Sequence, residues 1–186
     1  MSKKICSIDA STNNIAFALF DSNTLLMVGK INFVGRNTYE KVADSAKKIR
    51  DFFALELMQG IDAIVIEHTV FMNSPKTLAD LTLVQGAVLG AASTAGVPVI
   101  KSTNPMAWQS FIGNNRLTKA EQQEIKDFYP GKTEAWYKKA SREVRKQRTI
   151  EFVEEHYGRV VLDNDVSDAI GVGHYAVHNW EKLNNG

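Results

Sequence analysis

One acid set inside an apolar strand constrains this chain more than any other feature. Lys4-Ile5-Cys6-Ser7-Ile8-Asp9-Ala10 reads as a strand with a carboxylate near its end. Ser11-Thr12-Asn13-Asn14 then reads as a polar turn, and Ile15 to Phe20 as a second apolar strand. Desolvating a carboxylate on a central strand is costly unless a cation or a metal compensates it. Asp9 alone is a strand-end acid of an ordinary kind, so the question is whether distant parts of the chain bring it partners. Two stretches do: Ala63-Ile64-Val65-Ile66-Glu67, and Asp165-Val166-Ser167-Asp168-Ala169-Ile170.

The 186 residues suffice for one good-sized core, and one domain is the default. Cys6 is the single cysteine, which excludes a disulfide framework or a thiolate metal site. Met1 to Lys4 carries no apolar export segment, and the most apolar window, Gly86 to Ile100, is broken by Gly96 and Pro98. A cytoplasmic protein without a membrane partner is expected. The net charge of +1 hides a polarity along the chain. Residues 101–148 hold eleven Lys and Arg against five Asp and Glu, whereas residues 149–186 hold two against seven. A basic segment beside an acidic one suits a polyanion-binding surface flanking a cation site.

The order of elements is legible from periodicity and caps. A third strand, Leu25 to Phe33, follows the polar turn Asp21-Ser22-Asn23-Thr24 and completes an antiparallel meander. Asn37 with Glu40 has the pattern of a capping box, opening a helix whose Val42, Ala46, Ile49, Phe52 and Phe53 face the core. Asp62 to Glu67 is a buried strand reached by a crossover. Ser74-Pro75 starts a helix that ends near Ala95 at Gly96, and 97–101 is a fifth strand. Thr118 to Glu121 is a second capping box, and a long basic helix runs from about Glu134 to Tyr157. Asn164 caps a last helix over about 165–180. This order gives an α/β fold, a five-stranded mixed sheet with three antiparallel and two parallel strands, flanked by helices.

Asp165 and Asp168 are three apart in a first helical turn and share one face. Glu67 ends a strand that is otherwise apolar. Convergent carboxylates repel unless hard divalent cations hold them, and Mg²⁺ prefers oxygen ligands. Two ions about 3.5–4 Å apart activate water and stabilise a leaving oxygen in phosphodiester hydrolysis.

On these residues the chain resembles the RuvC family of Holliday-junction resolvases, within the RNase H-like superfamily. The matching motifs are Ser7-Ile8-Asp9-Ala10-Ser11, Val65-Ile66-Glu67 and Asp165-x-x-Asp168-Ala169, and they span nearly the whole chain. The resemblance implies a single RNase H-like nuclease domain over 1–186, with a basic helical insert at about 113–140. Asp9, Glu67, Asp165 and Asp168 would be both catalytic residues and ligands of two Mg²⁺ ions, which Mn²⁺ can replace. The implied activity is a structure-selective DNA endonuclease that nicks four-way junctions and leaves 5′-phosphate ends. The implied partners are branched DNA and a second copy of the chain. Phe71 matches a Phe implicated in opening the junction. The stretch Asn104 to Gly113 lacks the lysines of bacterial members, which makes the chain more similar to phage-type relatives.

Lys119, Lys138, Lys139, Arg142, Arg145, Lys146 and Arg148 are the expected DNA contacts, as phosphate contacts that position the duplex without reading sequence. Trp108 has the choice of stacking on a base or filling the core, and its apolar neighbours favour the core. His68 and His174 are not favoured ligands. The helix from Lys76 to Ala95 is apolar almost all round, as expected of a core or dimer helix. Two other functions fit the motifs: an RNase H-like nuclease on RNA, as in the YqgF relatives, and a binding module for branched DNA without catalysis.

Overall fold

The computed structural model describes residues 3–69 and 74–185. Strands β1 (Lys4–Ala10), β2 (Asn14–Asp21) and β3 (Thr24–Asn32) form the meander, with Ser22 at φ 52° in the tight β2–β3 turn. Helix α1 (Thr38–Phe53) carries the chain across to β4 (Ala63–Glu67), which pairs in parallel with β1. Helix α2 (Pro75–Thr94) leads to β5 (Val99–Thr103), parallel to β4. The sheet order is β3-β2-β1-β4-β5, the mixed five-stranded arrangement expected from the sequence. Helices α3 (Pro105–Phe111), α4 (Lys119–Phe128), α5 (Glu134–Tyr157), α6 (Asn164–His178) and α7 (Trp180–Asn185) follow. Among the described residues no helix is long and apolar enough to cross a membrane.

Strand alternation sorts the side chains onto two faces. Cys6, Ile8, Phe17, Leu19, Ile64 and Ile66 meet α1 and α2 through Ile49, Phe52, Phe53, Val84 and Val88. Ile5, Ala16, Ala18, Phe20, Ala63 and Val65 face the other way, onto Trp108 of α3, Val153 of α5 and Ala169, Ile170 and Val172 of α6. Cys6 is fully buried, and burial pushes its thiol up to about 12, so it is an inert core residue.

Four local expectations are corrected. Asp163, not Asn164, caps α6: its carboxylate accepts from the backbone N–H groups of Asp165 and Val166. Either residue type suits that position, and the chain enters the helix one residue earlier than expected. Glu40 does not close a capping box, because its carboxylate takes the Arg36 N–H and the Asn37 side-chain amide instead. The fifth strand lies at Val99–Thr103 rather than 97–101, since its register is set by pairing with β4. Helix α2 is not buried all round: Val84, Val88 and Ala92 are inside, whereas Leu83 and Leu89 are exposed.

Both outer strands have side contacts from elsewhere in the chain. The Arg159 guanidinium donates to the carbonyls of Leu25 and Leu26 on β3, at 3.1 and 3.3 Å. Lys101 of β5 donates to the Asn184 carbonyl of α7 at 3.2 Å.

Candidate active site

Adjacent parallel strands that end together put their last side chains together. Ile8 pairs with Ile66, so Asp9 and Glu67 are the next residues on neighbouring strands and lie on the face that α6 covers. The same row continues across the meander, with Asp9 opposite Ala16 and Ala16 opposite Lys30. Ala16, between Asp9 and Lys30, is fully buried against Val166, Ala169 and Ile170. Into that side comes the start of α6. It is docked by Ser7, whose hydroxyl donates to the Ala169 carbonyl at 2.7 Å and contacts the Ala18 carbonyl at 3.1 Å. Gly171 and Gly173 let the helix lie close, with the Trp108 ring against one and Phe20 and Ser7 against the other. Asp165 and Asp168 are thereby brought to the ends of β1 and β4.

The electrostatics record this convergence. Burial holds the Asp9 carboxyl well above the usual carboxylate range, and the charges of Glu67, Asp168 and Asp165 push it the same way. Asp168 is pushed up to about 7 by burial and by Glu67 and Asp165, although a hydrogen bond with Thr149 opposes the shift. Burial also raises Glu67. Lys30 is the local counter-charge, with its ammonium 2.6 Å from Asp165 and 3.0 Å from Asp163. Partial burial works against that ammonium, but its hydrogen bonds to Asp165 and Asp163 win and raise it.

Glu67 has a dedicated donor. The indole N–H of Trp108 reaches its Oε2 at 2.6 Å, while the Trp108 ring is fully buried. The bond lowers the proton affinity that burial raises. Trp108→Phe keeps a ring and removes the donor. The expected result is a Glu67 carboxyl whose titration, followed by NMR, is displaced to higher pH relative to wild type. An unmoved titration would show that the indole only fills space.

The donor set is all oxygen, and the raised proton affinities of Asp9, Glu67 and Asp168 show negative charge gathered without enough counter-charge. Both features fit hard divalent cations. Among the described residues no three acidic, histidine or cysteine side chains already stand in one ion's shell. Asp165 is turned onto Lys30, so a cation bound among the acids competes with that ion pair.

The basic residues divide. Lys119, Lys138, Lys139, Arg142 and Lys146 are exposed. Lys146 pairs with Glu143 at 3.5 Å, and its charge also reaches Asp168. Arg148 is half-buried against Glu121. Arg145 is turned inward to the Gln109 side chain and the Asn114 carbonyl, and Asn114 in turn donates to the Arg145 carbonyl. It braces α5 against the α3–α4 connection. Phe71 lies outside the described residues. His68 is exposed, and its backbone N–H donates to the Thr103 carbonyl. His174 contacts the Tyr157 hydroxyl at 2.7 Å inside an aromatic cluster, and burial pushes it down to about 4.

Sequence reasoning missed Lys30, Thr149 and the role of Trp108. Lys30 was within reach of a register argument, since the meander aligns it with Asp9 through Ala16. The other two depend on how α3 and α5 dock.

The sheet order and its flanking helices define the RNase H-like fold. No family model and no curated protein matches the sequence. Solved structures do match. T. thermophilus RuvC in complex with a Holliday junction substrate superposes with a TM-score of 0.68 at 14% identity, over 97% of this chain and 96% of that one. T. thermophilus RuvC in another structure gives 0.66 at 14%, over 96% of each chain. The yeast mitochondrial Holliday junction resolvase Ydc2 gives 0.54 at 12%, over 98% of this chain and 81% of its own. At such identities the likeness is one of fold.

Proposed function

We propose that this chain is a Mg²⁺-dependent, structure-selective DNA endonuclease acting on four-way junctions. The observation that carries the reading is the convergence of Asp9, Glu67, Asp165 and Asp168, from two strand ends and one helix start, on one face of the sheet. The likeness of fold to the RuvC and Ydc2 resolvases supports the junction as substrate. The four carboxylates would hold the ions, which supply water activation and stabilisation of the departing 3′ oxygen. Trp108 orients Glu67 and favours its ionised form against burial. Thr149 holds Asp168, and Lys30 holds Asp165 while balancing charge. The exposed cations of α5 contact phosphates on either side of the cut.

The exposed apolar strip of α2 supports a homodimer. Leu83 and Leu89 are 45% and 37% exposed, and Gly86 and Gly90 have open space beside them. A two-fold dimer suits a two-fold junction that needs paired nicks. Leu83→Asp is expected to convert a sedimenting dimer to a monomer with the melting temperature of the monomeric fold unchanged. A wild type that sediments as a monomer at micromolar concentration would remove the dimer.

The function is tested by cleavage of a labelled four-way junction beside linear duplex, a flap and an RNA–DNA hybrid, with Mg²⁺, for wild type and Asp165→Asn. Paired symmetric nicks in the junction alone, lost in the variant, are expected. Preferred cutting of the hybrid would move the chain to RNA. Binding without metal-dependent cutting would make it a binding module.

A further inference from the structure

The hairpin formed by α4 and α5 ends in a group of aromatic rings that the sheet does not need. Phe128 is 76% exposed and Tyr129 45% exposed. Their ring centroids are 4.7 Å apart; Tyr129 lies 5.0 Å from Trp136, and Trp136 lies 5.5 Å from Tyr137. None of the four belongs to the core clusters on either sheet face. Trp136 and Tyr137 are half-buried beneath the two exposed rings, and an exposed aromatic pair of this kind marks a surface that receives something.

The rings are held in place before any partner arrives. The Tyr137 hydroxyl donates to the Tyr129 carbonyl at 2.6 Å and accepts the Lys132 N–H at 3.2 Å, which clips the turn between the helices. Lys126 of α4 pairs with Glu134 of α5 at 3.1 Å. Gly131, at φ +76°, supplies the left-handed residue that the turn requires. Cations accompany the rings: Lys132 lies over Trp136 at 5.7 Å, and Lys126 over Tyr137 at 5.4 Å. Lys138 and Lys139 are exposed on the next turn of α5.

We infer that this tip is a stacking platform for unpaired nucleobases at a branch point, a second DNA contact remote from the four acids. The exposed Phe128 and Tyr129 rings, tilted by 69° to one another, offer π surface for a base, and the ammonium groups over the Trp136 and Tyr137 rings offer charge for an anionic phosphate. Lys126 is taken up by Glu134, but Lys132, Lys138 and Lys139 have no ion-pair partner among the described residues, and that free positive charge beside the rings suits a phosphate backbone. The inference rests on the nuclease reading for its substrate. Helix α5 joins the two places, since it carries Trp136 near its start and Thr149, the partner of Asp168, further along. At 1.5 Å per residue the two are roughly 20 Å apart along the helix. That is about six base steps of a stacked strand. The platform therefore holds displaced or unpaired bases about six nucleotides from the scissile phosphate, and the cations between them follow the backbone.

The test uses the full chain in EDTA, with a fork carrying unpaired arms and a blunt duplex of equal length. Phe128→Ala and Trp136→Ala are expected to weaken fork binding by roughly 5- to 100-fold, the range for loss of one stacked base, and duplex binding by less than twofold. Trp136→Phe should bind the fork nearly as wild type does. It should also lose the tryptophan-fluorescence quenching that wild type shows on adding the fork. Equal losses on fork and duplex, or no loss on the fork, would overturn the platform. So would a change of sedimentation in Phe128→Ala, which would assign the rings to a second copy. Mg²⁺-dependent junction cleavage by wild type is measured alongside. Cleavage with an unaffected variant defeats the platform alone, whereas a wild type that binds no DNA defeats both readings.

Discussion

Asp168→Asn is expected to reduce metal-dependent junction cleavage on the order of 10³-fold or more, as for loss of a group acting in the transition state, with binding of the junction retained. The same substitution should make the metal-free protein more stable at pH 8. Asp168 sits at about 7 in the folded chain against an ordinary 3.8. Between those values the folded protein keeps a proton that the unfolded chain has released. The stability linked to this carboxyl is therefore full below the ordinary value and is lost as the pH rises through about 7. An amide never ionises and escapes that loss. We expect a gain of roughly 1–3 kcal/mol at pH 8, or about 2–10 °C in melting temperature for a chain of this size. The gain should shrink toward zero near about pH 4. Mg²⁺ should raise the melting temperature of wild type more than that of the variant, because binding to the folded state alone stabilises it. A variant no more stable than wild type at pH 8 would mean that the four acids are not crowded.

Gly173→Ala should be the most damaging small substitution in the molecule. A Cβ there would fall 2.1 Å from Phe20 Cε2 and 2.5 Å from the Ser7 hydroxyl, inside the closest contact between α6 and the sheet. Alanine favours a helix by about 1 kcal/mol over glycine, but overpacking a closed contact costs roughly 1–3 kcal/mol or more. The overpacking wins here, because a buried aromatic ring and a hydroxyl bonded to Ala169 cannot both retreat. The net loss should be on the order of 2 kcal/mol by chemical denaturation. Activity should fall as well, since α6 moved off the sheet carries Asp165 and Asp168 away from Asp9 and Glu67. Wild-type stability in Gly173→Ala would show that the helix shifts freely.

Much of this architecture can be read from short range. The acid-bearing strands, the Thr118 capping box and the Gly158 end of α5 are each specified within a few residues, and the structure has them. Where neighbouring residues offered equal chemistry the reading failed, as with Asp163 and Asn164, two good caps side by side. Composition also could not decide which side of α2 is covered, because Leu83 outside is as apolar as Val84 inside. For the candidate site, Asp9 and Glu67 can be singled out because each is the lone acid of an apolar strand, and Asp165 and Asp168 by their three-residue spacing. Their supporting groups cannot: Trp108 meets Glu67 across 41 positions in the chain. An indole that orients a carboxylate has the same local sequence as one that only packs.

The Arg159 guanidinium lying along β3 has a consequence for what this protein does in company. An outer strand with free carbonyls is a template on which another chain's strand can grow, and a sheet left open at both rims invites filaments. Here one rim has two carbonyls taken up by an arginine, and the other carries a lysine tethered to the last helix. Copies of the chain are thereby steered away from meeting strand to strand. At high concentration the chain should therefore remain as discrete particles and not grow strand on strand.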